Sequence, residues 1–391
     1  MKKQLIKELL RTDLRARYGD TFFAAWKGRH MSAQHFVQSW EPGVVRLNLT
    51  PGTRKTSHAG IVLDSTDGGE TWHEVETNLP PSSLGMFQLN EDSPRVSLRY
   101  GAECWVEQGS EWVLRPIYGA DKLHYDGIGG ANCYSGIMIQ EPGCGYAGRL
   151  VLVGDYFLGQ EGPGSQAISS IYSDDYGVSW KSSRLFSATD PLPPSPEGFG
   201  EPAVVQMPSG WLWMVMRSVY GELWQCISHD GGETWNHPTP TGLVSPIANC
   251  AAMREPTTGA TVLVWNAAQP GPSQEFSDNP SIYRPRTNLV FSVSHDNTRT
   301  WTEPVVVEEQ EGQYAAIHFA AGRMFIMYQS SNSTEWTPWE KMGLTLVAYD
   351  IEDVLNMPAW TSETIQPWID RGLVRHWRSL QCQEPSRKTI S

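Results

Sequence analysis

One eight-residue pattern occurs four times in this chain and restricts its fold more than any other feature. Ser65-Thr66-Asp67-Gly68-Gly69-Glu70-Thr71-Trp72 returns as SDDYGVSW at 173–180, SHDGGETW at 228–235 and SHDNTRTW at 294–301. The shared form is Ser-x-Asp-x-Gly-x-Thr/Ser-Trp, with Thr298 in place of the glycine in the last copy. Ser and Asp side chains can bond to nearby backbone N–H groups and hold a tight turn. Glycine supplies the positive φ such a turn needs, and Asn297, tolerant of left-handed backbone, partly substitutes for it in the last copy. The tryptophan can then fold back and bury a large apolar face on neighbouring strands. The pattern is a folding staple, and its aspartates are not read as catalytic.

The spacing sets the number of structural units. The copies begin at residues 65, 173, 228 and 294, so the first interval is about twice the second. A unit without the motif therefore falls around residues 100–140, where EWVLRPIYG and SGIMIQE read as strands. The segment from 314 onward, with YAAIHFAAGRMFIMYQ and GLTLVAYDI, supplies another. Four marked and two unmarked units divide 391 residues into lengths suited to four antiparallel strands each. The expected fold is an all-β, six-bladed β-propeller, with seven blades left open as an alternative. Residues 1–25 read as a short helix outside it, 26–360 as the propeller, and 361–391 as a closing strand and tail.

Composition narrows the partners. The formal net charge of −13, with no long basic run, argues against nucleic acid and anionic membranes. A small anionic substrate stays open if a few arginines gather locally. Seventeen tryptophans exceed what a core needs and point weakly to sugar-binding faces. The six cysteines show no metal-ligand spacing, and neither a metal nor another cofactor is expected. Charges interrupt MKKQLIKELLRTDLRARYGD before any apolar core of secretory length, so the expected location is cytoplasmic, with secretion open if a leader was trimmed.

Three segments carry candidate chemistry. Glu201-Pro202 to Met216-Arg217 reads as a hairpin around Pro208-Ser209-Gly210, which brings Glu201 and Arg217 together at one end. Arg286 opens a strand that runs into the fourth motif. Tyr314 sits on a strand of small residues that ends in a Gly-Arg turn. Taken singly, the first two are an ion pair and Tyr314 a core tyrosine.

Their order along the chain resembles the sialidases (exo-α-neuraminidases), over roughly residues 130–330. In that family a glutamate opens a hairpin ending in one arginine of a three-arginine cluster. A second arginine precedes a later motif, and a nucleophilic tyrosine follows on the next blade. Glu201, Arg217, Arg286 and Tyr314 occupy those places, and Tyr328-Gln329 stands where the family has Tyr-Glu. GIMIQEPGCGYAGRLVLVGDY at 136–156 also resembles the family's entry to the third blade. The resemblance implies hydrolysis of a terminal acidic sugar, sialic acid or a related keto-sugar acid, with arginines binding its carboxylate. Tyr314 would attack the anomeric carbon and Glu201 would take its proton. Arg29 is the best match for the missing arginine, ahead of Arg46, while Arg115-Pro116-Ile117 has the right residues in the wrong blade. The family's general-acid aspartate falls near Arg54–His58, where no carboxylate stands, leaving His30, His35, His58, Asp121 and Asp126 as candidates. Two alternatives follow: a lyase on uronate-containing glycans using Tyr and His, or a non-catalytic glycan-binding propeller.

Overall fold

The computed structural model describes residues 4–9, 34–37, 41, 43–49, 61–80, 84–99, 103–117, 132–157, 166–183, 186–187, 198–269, 286–330 and 343–375. The described strands form six antiparallel sheets arranged as the blades of a propeller. Blade one holds β2 (Gln34–Val37), β3 (Val45–Leu49), β4 (Ile61–Ser65) and β5 (His73–Glu74). Blade two holds β6 (Gly85–Phe87), β7 (Val96–Arg99), β8 (Glu103–Gln108) and β9 (Glu111–Pro116). Blade three holds β10 (Asn132–Met138), β11 (Leu150–Phe157), β12 (Gln166–Ser173) and β13 (Lys181–Ser182), with β14 (Phe186–Ser187) also on β12. Blade four holds β15 (Phe199–Gln206), β16 (Leu212–Ser218), β17 (Glu222–Ser228) and β18 (Thr239–Val244). Blade five holds β19 (Ala251–Arg254), β20 (Thr261–Asn266), β21 (Leu289–Ser294) and β22 (Val305–Glu308). Blade six holds β23 (Gly312–Ala320), β24 (Arg323–Ser330), β25 (Gly343–Asp350) and, outermost, β1 (Gln4–Leu9).

Two expectations fail at the chain ends. Gln4–Leu9 is a strand, not part of a helix: it pairs antiparallel with β25, Leu5 opposite Val347. The ring is thus closed by the N-terminus. The segment after the propeller holds no closing strand among its described residues. Instead α1 (Ile351–Leu355) and α2 (Ser362–Asp370) follow β25. Ile365 and Trp368 of α2 pack into the core between blades four and five. The unmarked second blade spans β6 to β9, and SGIM belongs to the first strand of blade three instead.

The apolar pattern follows from where each strand sits. Middle strands are covered on both faces by adjacent blades, so β16, β20 and β21 are buried along their whole length. Outermost strands face solvent, and both residues of β5 are exposed. The cores accordingly lie between blades: Leu98 and Leu152 meet between blades two and three, Phe291 and Ile326 between five and six.

Four strands per blade is an even number, so the chain returns to the same mouth of the propeller before each new blade. First strands therefore all start at one mouth, second strands end there and third strands start there. Each tryptophan motif follows a third strand, β4, β12, β17 or β21, and so lies at the opposite mouth. Blade six lacks it for a topological reason: its fourth strand comes from the other end of the chain, and no turn joins it to the third.

Candidate active site

Strand parity delivers four of the sequence-selected residues to one mouth. Glu201 lies at the start of β15, Arg217 near the end of β16, Arg286 just before β21, and Tyr314 at the start of β23. Glu201, Arg217 and Arg286 are all buried and Tyr314 is half-buried. The Tyr314 hydroxyl donates to Glu201 Oε1 at 3.3 Å, and Arg217 Nη1 donates to Glu201 Oε2 at 2.8 Å. The Arg286 guanidinium stands 5.4 Å from the centre of the Tyr314 ring, within cation–π range. It is anchored by Nη1 on Gln313 Oε1 at 2.6 Å and Nη2 on the Ile247 carbonyl at 3.0 Å.

The backbone at this pair is unusual. Glu201 has φ 44° and Tyr314 φ 51°, in the left-handed region that bulky L-residues avoid. Both sit where pairing slips, between Gly200 and Ala203 on β15 and between Gln313 and Ala316 on β23. Such bulges aim a side chain away from the regular alternation of a strand. Apart from the motif turns and the hairpin residue Ala321, the described non-glycine residues with positive φ are Glu201, Tyr314 and Asn288, two positions after Arg286.

Burial raises the Tyr314 phenol above its usual range, and the Glu201 charge raises it further, while Arg286 and Arg217 oppose both. Tyr314 is therefore a neutral hydroxyl at ordinary pH, with a carboxylate in place to accept its proton. Glu201 and Tyr314 also line a cavity of 740 Å³ that runs down the inside of the first strands past Asn249, Cys250 and His318 to Arg254. Burial pushes His318 down to about 4.

Other candidates lie elsewhere. Arg46 is held by Asp64 across β3 and β4. Arg115 donates to the carbonyl of Tyr176 in the third blade's motif at 2.8 Å. Tyr328 is buried in the core between blades five and six and donates to Glu308 Oε2 at 3.2 Å, away from the Glu201–Tyr314 pair. Arg29, His30, His58, Asp121 and Asp126 lie outside the described residues, as does the side chain of His35. Sequence reading assigned no role to Asp155, Asn249 or Gln313, which matter only through contacts between distant segments. Among the described residues no group of three or more His, Cys, Asp or Glu could hold a metal ion, and no helix is long and apolar enough to cross a membrane.

Comparison with known proteins places this geometry in context. A crystal structure of a protein of unknown function from Dyadobacter fermentans DSM 18053 matches with TM-score 0.53 at 15% identity, over 83% of this chain and 96% of that one. The Penicillium chrysogenum α-L-arabinanase complexed with arabinobiose gives TM-score 0.53 at 13% identity, over 84% and 96%. The NanB sialidase of Streptococcus pneumoniae gives 0.45 at 16%, covering 74% of this chain and 41% of that longer one. The first two likenesses speak to fold. No curated protein matches the sequence significantly. The family model of the BNR repeat-like domain matches residues 130–337, more than half of the chain and a stretch that includes all four residues gathered at the mouth. The chain belongs to the BNR repeat-like family, as a six-bladed propeller.

Proposed function

We propose that this glycoside-hydrolase-like propeller is an exo-glycosidase that removes a terminal acidic sugar, sialic acid or a related keto-sugar acid. The observation that carries the reading is the Tyr314 hydroxyl bonded to Glu201 Oε1 at 3.3 Å, with Arg217 and Arg286 beside it. In the proposed step the Tyr314 oxygen forms a bond to the anomeric carbon as its proton passes to Glu201. The glycosidic C–O bond breaks, and the departing oxygen leaves as an anion or takes a proton from solvent. Water later cleaves the tyrosyl–sugar bond and restores the phenol. A neutral nucleophile suits an anionic sugar, since a carboxylate in its place would repel the substrate's own charge. Guanidinium groups match a carboxylate in shape and charge, and Arg217 and Arg286 supply them.

The place matching the family's general acid, near Arg54–His58, holds no carboxylate, so aryl glycosides with good leaving groups are the expected best substrates. The test uses 4-methylumbelliferyl α-sialoside. Tyr314→Phe and Glu201→Gln are each expected to lower kcat by roughly 100-fold or more while the protein stays folded. Turnover that survives both substitutions would refute the assignment. Ultraviolet absorbance appearing on acidic polysaccharides, without fluorophore release, would favour the lyase. A folded protein silent in both assays but retaining acidic glycans would favour the binding module.

A further inference from the structure

Left-handed backbone at Tyr314 and Glu201 needs something to hold it. A bulge takes its extra residues out of the strand ladder, so their N–H groups lose regular partners. On β15 the bulge contains Glu201 and Pro202, and proline has no N–H, which leaves the Glu201 amide as the donor to satisfy. That amide donates to Asp155 Oδ2 at 3.4 Å. On β23 the Tyr314 amide donates to Asn249 Oδ1 at 2.9 Å. In both cases the acceptor comes from the blade immediately before. Asp155 lies near the end of β11 in blade three and serves blade four, while Asn249 leads into β19 of blade five and serves blade six. Asp155 is wholly buried.

We infer that Asn249 and Asp155 are positioning residues, which hold Tyr314 and Glu201 in their bulged conformations by accepting the main-chain N–H of each. The inference rests on the proposed reading of Tyr314 and Glu201 as the reacting pair. Without the acceptor, β23 gains by relaxing toward regular pairing with β24. A shift of one residue along a strand sends a side chain to the other face. The Tyr314 hydroxyl would then leave Glu201 although neither reacting side chain had changed.

Asn249→Leu keeps the size and removes the acceptor, whereas Asn249→Asp keeps an acceptor oxygen. With 4-methylumbelliferyl α-sialoside, Asn249→Leu is expected to lower kcat by about 100-fold with KM changed less than about threefold, the pattern of a misplaced reacting group. Asn249→Asp should retain kcat within about tenfold of the parent, since it preserves the bond. Equal kcat in Asn249→Leu and the parent protein would overturn the inference. If the parent does not cleave the sialoside, the functional reading fails separately, and tyrosine ionisation followed at 295 nm decides the positioning role. Each protein is compared with its own Tyr314→Phe counterpart, so the difference reports Tyr314 alone. Asn249→Leu should move that ionisation to lower pH by about one unit as the phenol leaves its buried place beside Glu201. Asn249→Asp should leave it at or above the parent value, and superimposable curves for Asn249→Leu and the parent would refute the role. Near-ultraviolet circular dichroism checks folding, and Asn249→Ala serves in the same assays if the leucine variant does not fold.

Discussion

A left-handed conformation at a non-glycine residue costs about 1–3 kcal/mol, and this protein sustains it at both Glu201 and Tyr314. The surrounding sheet over-determines them: the Glu201 carboxylate holds both Arg217 and Tyr314, and neighbouring blades hold both amides. Glu201, Arg217, Arg286 and Tyr314 were legible from the sequence through the resemblance of their order to that of the sialidases, and strand parity is what places them around one mouth. Asn249 and Asp155 were not, because their role depends on a hydrogen bond to another blade. His318 supports a prediction at this scale. Its half-buried imidazole has a depressed pKa of about 4, against about 6.5 in an unfolded chain. The unfolded state therefore binds more protons between those values, and stability falls as pH drops from 6.5 to 4. The loss is at most about 3 kcal/mol and stops below pH 4. Urea unfolding across that range should show the slope, and a folded His318→Gln variant should lack its contribution.

The tryptophan motif behaves as a unit at the scale of the turn. Ser228 Oγ donates to Asp230 Oδ1 at 2.8 Å, and the Thr234 amide donates to the same oxygen at 2.8 Å. The Gly232 amide donates back to Ser228 Oγ at 2.8 Å. Each copy has two consecutive left-handed residues; in the last they are Asn297 (φ 61°) and Thr298 (φ 67°). Asn297 thus fills the position before the missing glycine, and the rest of the turn forces Thr298 itself into glycine's conformation. The motif also joins blades. Trp235 Nε1 donates to Ser170 Oγ of the preceding blade at 2.9 Å, and Arg149 of that blade donates to the Asp230 carbonyl at 3.0 Å. Arg115 and Arg323 reach the second and first copies in the same way. Burial alone would raise Asp230, but hydrogen bonds from Thr234 and Ser228 outweigh it and lower its pKa. Its contribution is present above the usual aspartate range and lost as pH falls through the depressed value. Asp230→Ala should cost about 1–3 kcal/mol in thermal or denaturant unfolding. Its kcat should be unchanged, because the motif lies at the mouth opposite Tyr314.

Closure decides the behaviour of the whole ring. β1 covers the outer edge of β25 along Leu344–Ala348, which would otherwise present unpaired backbone groups. Removing residues 1–9 should destabilise the protein by roughly 3–6 kcal/mol, judged from the lost backbone pairing. Concentration-dependent association through the bared edge should follow, measurable as a lower Tm and a larger species in light scattering. At the other end of the chain, Leu243 bridges Val374 and Thr302 bridges Ala359, so the segment carrying α2 straps blades four and five together.

The four motif copies pointed to a propeller by themselves, their unequal spacing exposed one blade without the motif, and the strand-like segments after residue 314 marked the other. That information is local: each turn is specified by residues within eight positions, and the spacing is simple counting. The chain ends were misread because their fate is not local. MKKQLIKELL has enough charged and unbranched residues to suit a helix, yet the open edge of β25 offers hydrogen bonds that draw Gln4–Leu9 into a strand. Only the tertiary structure decided that closure, and only it brought Asn249 and Asp155 to the amides of Tyr314 and Glu201. Contacts between blades are made by residues far apart in the chain, and no short pattern encodes them.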